Sequence, residues 1–185
     1  MKQITVAVWI ILVGTTTSYA MAAKNPDPLL VVQAARTAES VGNTDAELAL
    51  YTDDAVITDT SGKEISGREA VRKFLEANRI ANFQLSRPDP GVRVDGNRVF
   101  RSAPMSSGFI QDLGVAPVEV RSIIFVEGSK MRSIDNYFPM HDIKRMEQSC
   151  SSHPIAIYDR PCMEFIQAAR SHTEELIKTG LASND

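Results

Sequence analysis

Long hydrophobic runs are missing from this chain, apart from one segment near its start. Ile4 to Val13 follows Lys2 and gives way to the small and polar GTTTSYAMAAK. A bilayer span needs about 20 apolar residues, so this run is too short, and nothing later in the chain is long enough either. A basic start, a short apolar stretch and AMA at 20–22 form the pattern of a secretory signal. Residues 1–22 are therefore expected to be cleaved, leaving a soluble, periplasmic or secreted protein with no membrane contact. Trp9, the only tryptophan, goes with them.

Positive charge is not in excess: 20 Lys and Arg face 23 Asp and Glu. Nucleic acids and anionic lipids select clustered basic residues, so neither is expected as a partner. Cysteine is scarce, with Cys150 and Cys162 alone in SCSSHPIAIYDRPCME. In an exported protein such a pair closing a short loop reads as a disulfide. The spacing fits neither CxxC redox chemistry nor a zinc ligand set. The three histidines, His141, His153 and His172, are scattered and form neither HxH nor HExxH, so no metal site is expected. GxSxG, a phosphate-cradling loop and a dinucleotide fingerprint are all absent, and no cofactor is expected.

What is present divides into helices first and strands after. Pro28 can open a helix over Leu29 to Val41, with Leu30, Ala34, Thr37 and Val41 at spacings of three and four. Thr44 with Glu47 three residues on reads as a capping box starting a short second helix. AVITDT has strand composition, and SGKEISG a turn with a brief hairpin partner. GREAVRKFLEANRI follows as an amphipathic helix with Ala70, Val71, Phe74, Leu75 and Ile80 inward. FQLSR, GVRVDGNRVFRSAPM, VAPVEVRSIIFVEG and KMRSIDNYF are strand candidates, and DGN and EGSK supply tight turns for an antiparallel meander. A short helix in MHDIKRMEQ and another over Met163 to Leu176, with Phe165, Ile166, Ala169 and Leu176 in a stripe, close the chain. The fold class is α+β, with helices packed on one face of a curved sheet.

This order, carried by NTDAELALYTDDAVITDTSGKEISGREAVRKFL and the later FVEGSKMRSIDNYF, resembles the SnoaL-like branch of the nuclear transport factor 2-like superfamily. The likeness covers about Pro28 to Ile143 and implies a conical α+β barrel whose antiparallel sheet wraps a pocket. It divides the chain into a signal peptide at 1–22, a SnoaL-like domain at 23–145, and a C-terminal extension at 146–185 with disulfide and helix. Such cones host ketosteroid isomerases, epoxide hydrolases, polyketide cyclases and dehydratases as well as proteins without chemistry, and fold alone does not choose among them.

Carried over residue by residue, the ketosteroid isomerase pattern places its aspartate base on Asp59. The oxyanion tyrosine and protonated aspartate of that pattern fall on Ala35 and near Arg121, so both donors are missing. In the limonene epoxide hydrolase pattern the last catalytic aspartate falls on Asn136, which cannot be a base, and Ile134 takes the tryptophan position. Its arginine and second aspartate fall on about Ala103 and Met105. The implied pocket is lined by Ala103, Met105, Ile123, Phe125 and Ile134, with Asp59, Arg121 and Asn136 as polar contacts. Asp59 also suits a turn start, accepting the amide two residues on. Arg121 alternates with Ile123 and Phe125 on one strand face and Val118, Val120, Ser122 and Ile124 take the other, and either face can be the buried one. The expected function is binding of a small, partly apolar organic ligand, with Asp59 as acid or base of an isomerase, cyclase or dehydratase. The alternative is a non-catalytic ligand-binding module or a homodimer formed through the outer sheet face.

Overall fold

A computed structural model describes residues 26–80, 84–85, 91–152, 156–157 and 160–183. The expected signal segment and His153 lie outside the described residues. Helix α1 (Pro28–Ser40) starts where Asp27 accepts a hydrogen bond from the amide of Leu29 and Pro28 supplies the fixed φ of a first turn. Helix α2 (Thr44–Leu48) is capped by Asn43, whose side chain accepts from Ala46 N, and not by Thr44 as the capping-box spacing predicts. An Asn ranks above Thr as a cap, and taking it moves the helix start back one residue.

Strand β1 (Tyr51–Thr58) turns into β2 (Glu64–Ser66), and α3 (Arg68–Ile80) follows. Val71 is buried on α3, whereas Ile80 is 83 % exposed and does not face inward as its spacing suggests. Next come β3 (Gln84–Leu85), β4 (Gly91–Asp95), β5 (Arg98–Ser106), a short helix α4 (Gly108–Asp112) in the expected meander, β6 (Val118–Glu127) and β7 (Lys130–Tyr137). The C-terminal part is α5 (Met140–Ser152), a small pair of β8 (Ala156–Ile157) and β9 (Arg160–Pro161), and α6 (Cys162–Lys178). The division expected at 145/146 falls inside α5.

The main sheet has the order β2-β1-β7-β6-β5-β3, with β4 also on β5. Every pairing is antiparallel except β1 with β7, so the sheet is mixed where an all-antiparallel one was expected. The parallel pair arises because β1 is separated from β7 by the whole meander and joins its far side, a connection a hairpin cannot make.

Alternation along the strands gives the sheet two distinct faces. On the inner face, Ala103 lies opposite Val120, Met105 opposite Val118, and Ile124 between Val99 and Ile134. Half of this face is covered by α1, α2 and α3, where Val32, Leu48, Ile57 and Val71 pack with Ile124 and Met131. The other half is covered by α4, α5 and α6, where Ile110, Phe138, Met146, Phe165 and Ile166 pack with Met105 and Val118. The outer face is covered at β6 and β7 by the end of α6, with Leu176 on Ile123 and Tyr137. Helix α6 thus crosses the rim of the sheet: its first turns lie under the inner face and its last turns over the outer one. The disulfide between Cys150 and Cys162 joins the end of α5 to the start of α6, with their Cα atoms 5.8 Å apart.

Candidate functional site

Between α1–α3 and the inner sheet face lies a cavity of about 750 Å³. Its apolar wall comes from Val32, Ile57, Phe74, Val120, Ile124 and Ile134, and Phe165 of α6 closes one side. The C-terminal helix is therefore part of the cavity wall.

Among the site residues suggested by the sequence, Asp59, Ile134 and Asn136 line this cavity. Asp59 sits just after β1, and its Oδ1 accepts from Ser61 N (2.8 Å), Ser61 Oγ (2.7 Å) and Lys63 N (3.1 Å). Asp59 thus organises its turn and also borders the cavity. Gly62 in that turn has φ +80°, and a Cβ there would meet His172 Cβ at 3.1 Å. A side chain at 62 would thus be strained and would press on α6. Asn136 Oδ1 accepts from Ser122 Oγ (2.8 Å), and its Nδ2 donates to the carbonyl of Thr58 (3.2 Å). It ties β7 to both neighbours at the rim.

The remaining candidates are not gathered there. Arg121, Ile123 and Phe125 alternate with Val120, Ser122 and Ile124, and the cavity takes the latter three. Ile123 packs under Leu176 on the outer face. Arg121 Nε donates to Glu119 Oε1 (2.6 Å) and its Nη1 to Ser183 Oγ (3.2 Å), both on the outer side. The physical reason is the period of two: choosing Val118 and Ile124 for the core sends Arg121 outward. Ala103 and Met105 are on the inner face but fully covered, Met105 by the α4–α6 core, so they support the cavity without lining it.

Sequence reasoning missed the ionisable wall opposite. Arg36 and Glu39 of α1, Glu47 of α2, Tyr51 of β1 and Arg101 of β5 all line the cavity. Arg36 Nη1 is 2.7 Å from Glu39 Oε2. Burial, reinforced by the charge of Glu39 and opposed by Arg36, pushes the Glu47 carboxyl up to about 7. Burial first, then Glu47 and Glu39, raises the Tyr51 phenol above its usual range, with Arg101 opposing. The signals available in the sequence were the four-residue step from Glu47 to Tyr51 and a serine, Ser122, within an otherwise apolar strand face. Read as a capping-box acid, Glu47 had no reason to be buried.

The raised Glu47 predicts a pH dependence of stability. A carboxyl whose folded value lies above its ordinary value of 4.5 contributes stability that is fully present below 4.5 and lost as pH rises through about 7. Between pH 4.5 and 8.5 the wild type is expected to lose about 1–3 kcal/mol relative to Glu47→Gln, after discounting for solvent at the cavity mouth. Urea unfolding of both proteins at the two pH values measures this, and parallel pH profiles would contradict it. Among the described residues, no group of three or more His, Cys, Asp or Glu side chains is arranged to hold a metal ion.

The fold is shared with solved structures described as NTF2-like and as ketosteroid isomerase-like. The chain is similar to the epoxide hydrolase/cyclase-like enzyme SalBIII, of pyran ring formation in the polyether salinomycin, at 21% identity and TM-score 0.53 over 60-odd percent of this chain (62%) and 92% of that one. It is similar to a candidate polyketide cyclase of Xanthomonas campestris at 22% identity and TM-score 0.51, covering 62% of this chain and 92% of the other. A protein of Catenulispora acidiphila with a ketosteroid isomerase-like fold, solved with trimethylamine, is 17% identical with TM-score 0.51, covering 68% and 94%. No protein-family model and no curated protein matches the chain.

Proposed function

We propose that this chain is an exported domain whose cavity takes up a small, partly apolar organic molecule, and that one cavity carboxylate moves a proton on it, as in an isomerase, cyclase or dehydratase. The observation that carries this reading is the cavity itself. Its volume of about 750 Å³ lies within the roughly 300–1,000 Å³ of small-molecule sites, and its apolar wall is broken by a few polar groups, as such sites are. Export is supported by the signal-like start of the sequence and by the Cys150–Cys162 disulfide, a bond that persists in oxidising compartments. Among the described residues no helix is long and apolar enough to cross a membrane. The cyclase-type descriptions of two solved structures with this fold support a reading in which the cavity works on a small organic molecule. Such a proton shift requires no cofactor.

Asp59, Asn136 and Ile134 are the ligand contacts that the sequence and the cavity share. The Oδ1 of Asp59 is committed to its own turn, which leaves Oδ2 to face a ligand. That commitment also favours a second reading, in which the domain binds its ligand without turning it over. The homodimer considered from the sequence has less outer face available, because Leu176 occupies it at β6 and β7.

Binding is tested by calorimetric titration with enones, epoxides and β-diketones, comparing the wild type with Ile134→Trp, which fills the cavity from β7. At least one class is expected to bind the wild type, and at least tenfold more weakly the tryptophan variant. Binding to neither protein, or equally to both, would overturn the cavity reading.

A further inference from the structure

Strand β4 is an open edge of the main sheet. Among the described residues it pairs only with β5, and every residue from Gly91 to Asp95 is exposed. Val92 and Val94 are each 42 % exposed, although they stand opposite Arg101 and Val99 on the inner sheet face. An edge with unpaired backbone groups is a template for another strand, and proteins guard such edges with charged side chains. Here the guard has both signs. Arg93 and Asp95 are two residues apart and so share the outer face. Arg93 Nη1 is 3.8 Å from Asp95 Oδ2, and its guanidinium lies over the Phe100 ring at 3.9 Å from the centroid.

The hairpin settles which backbone groups are free. Gly96 and Asn97 are its two-residue connection, so the closing pair Asp95 and Arg98 exchanges hydrogen bonds. By the antiparallel alternation, Arg93 and Gly91 also direct their amides and carbonyls to β5, and Val92 and Val94 direct theirs to the open edge. A second β4 can then join by a two-fold axis centred on Val92, Arg93 or Val94. Centring on Arg93 sets the two arginines against each other, and centring on Val92 sets each arginine against a glycine. Centring on Val94 sets Arg93 opposite the partner's Asp95 and Asp95 opposite the partner's Arg93. It also lets the two Val94 residues exchange hydrogen bonds and gathers the exposed valines on the inner face.

We propose that β4 is a self-association edge of this protein: two copies join antiparallel along it, with Val94 opposite Val94 and Arg93 opposite the partner's Asp95. The contact is self-complementary, as a two-fold interface must be, and opposite charges across a strand pair attract where like charges repel. It displaces nothing, whereas pairing through the outer face at β6 and β7 would have to move Leu176. A five-residue edge buries less than the roughly 1,200 Å² of a standard interface, so the dimer is weak and forms at high concentration. Its seam lies one strand from Arg101 of the cavity wall in each copy. The ligand reading above does not depend on it.

The test is sedimentation equilibrium of the mature chain from about 10 μM to about 1 mM, the range of a weak contact. The wild type is expected to pass from monomer toward dimer. Arg93→Asp and Asp95→Arg each place like charges opposite one another, and each is expected to dimerise about tenfold or more weakly. Mixed in equal amounts, these two variants are complementary and are expected to pair as the wild type does. Amide hydrogen exchange of the wild type gives a second reading, independent of any substitution: Val92 and Val94 are expected to slow with concentration, and Leu30, exposed on α1, to stay unchanged. Unfolding midpoints establish that each variant is folded. A wild type that stays monomeric throughout, exchange at Val92 and Val94 indifferent to concentration, or single variants that dimerise like the wild type would each overturn the proposal. So would a mixture of folded variants that does not pair.

Discussion

Replacing Phe165 by alanine is expected to destabilise the protein by about 3–5 kcal/mol, the range for truncating a buried aromatic ring. Phe165 is 4 % exposed and stands in the core with Met105 and Val118. Its ring meets Phe109 edge to face, with centroids 5.7 Å apart and planes at 74°. Removing it therefore deletes apolar burial, an aromatic pair and part of the wall between core and cavity. The surrounding helices cannot collapse onto the gap, because it opens into an existing void. Urea unfolding measures the loss. The same variant should bind bulkier ligands than the wild type, since its cavity is larger. A loss below about 1 kcal/mol, far under the usual range, would mean that Phe165 is not the plug its position indicates.

Loss of the disulfide is the second large effect. The bridge closes a loop with a sequence separation of 12, and a loop of that size is worth roughly 3 kcal/mol in the chain-entropy account. Both sulfurs are buried in the cluster that joins α5, α6 and the sheet. The combined variant Cys150→Ala, Cys162→Ala is therefore expected to lose roughly 3 kcal/mol, and alanine avoids burying two hydroxyls without partners. Reductant should lower the unfolding midpoint of the wild type toward that of the variant and leave the variant unchanged. A wild-type midpoint indifferent to reductant would show that packing alone holds α6.

Much of the fold was legible because its signals are local. Proline at the start of α1, the GREAVRKFL stripe of α3 and the turn pairs DGN and EGSK each act within a few residues, and each element formed where they place it. The resemblance supplied what is not local, namely the wrapping of the sheet. The site was less legible for two reasons. A strand such as VEVRSIIF has two faces of nearly equal hydrophobicity, so the choice that sent Arg121 outward depends on partners far away in sequence. Glu47 and Tyr51 looked like a capping acid and a helix-end aromatic, and only the packing of α1 against α2 brings Glu39 and Arg36 beside them. Asp59, which the resemblance placed at the base position, is in the structure the organiser of its own turn at the cavity edge.

The crossing of α6 over the sheet rim bears on the order in which the chain assembles. Phe165 needs Val118 and Met105 as a surface to lie on, and Leu176 needs Ile123 and Tyr137, so neither half of the helix has a seat until β5, β6 and β7 are in register. Contacts of this kind close the longest loops last, since ordering them has to wait for the pairings they rest upon. Helix α6 follows every strand of the main sheet in the chain and supplies Phe165 to the cavity wall, so a chain stopped at β7 would carry the whole main sheet and still lack one wall.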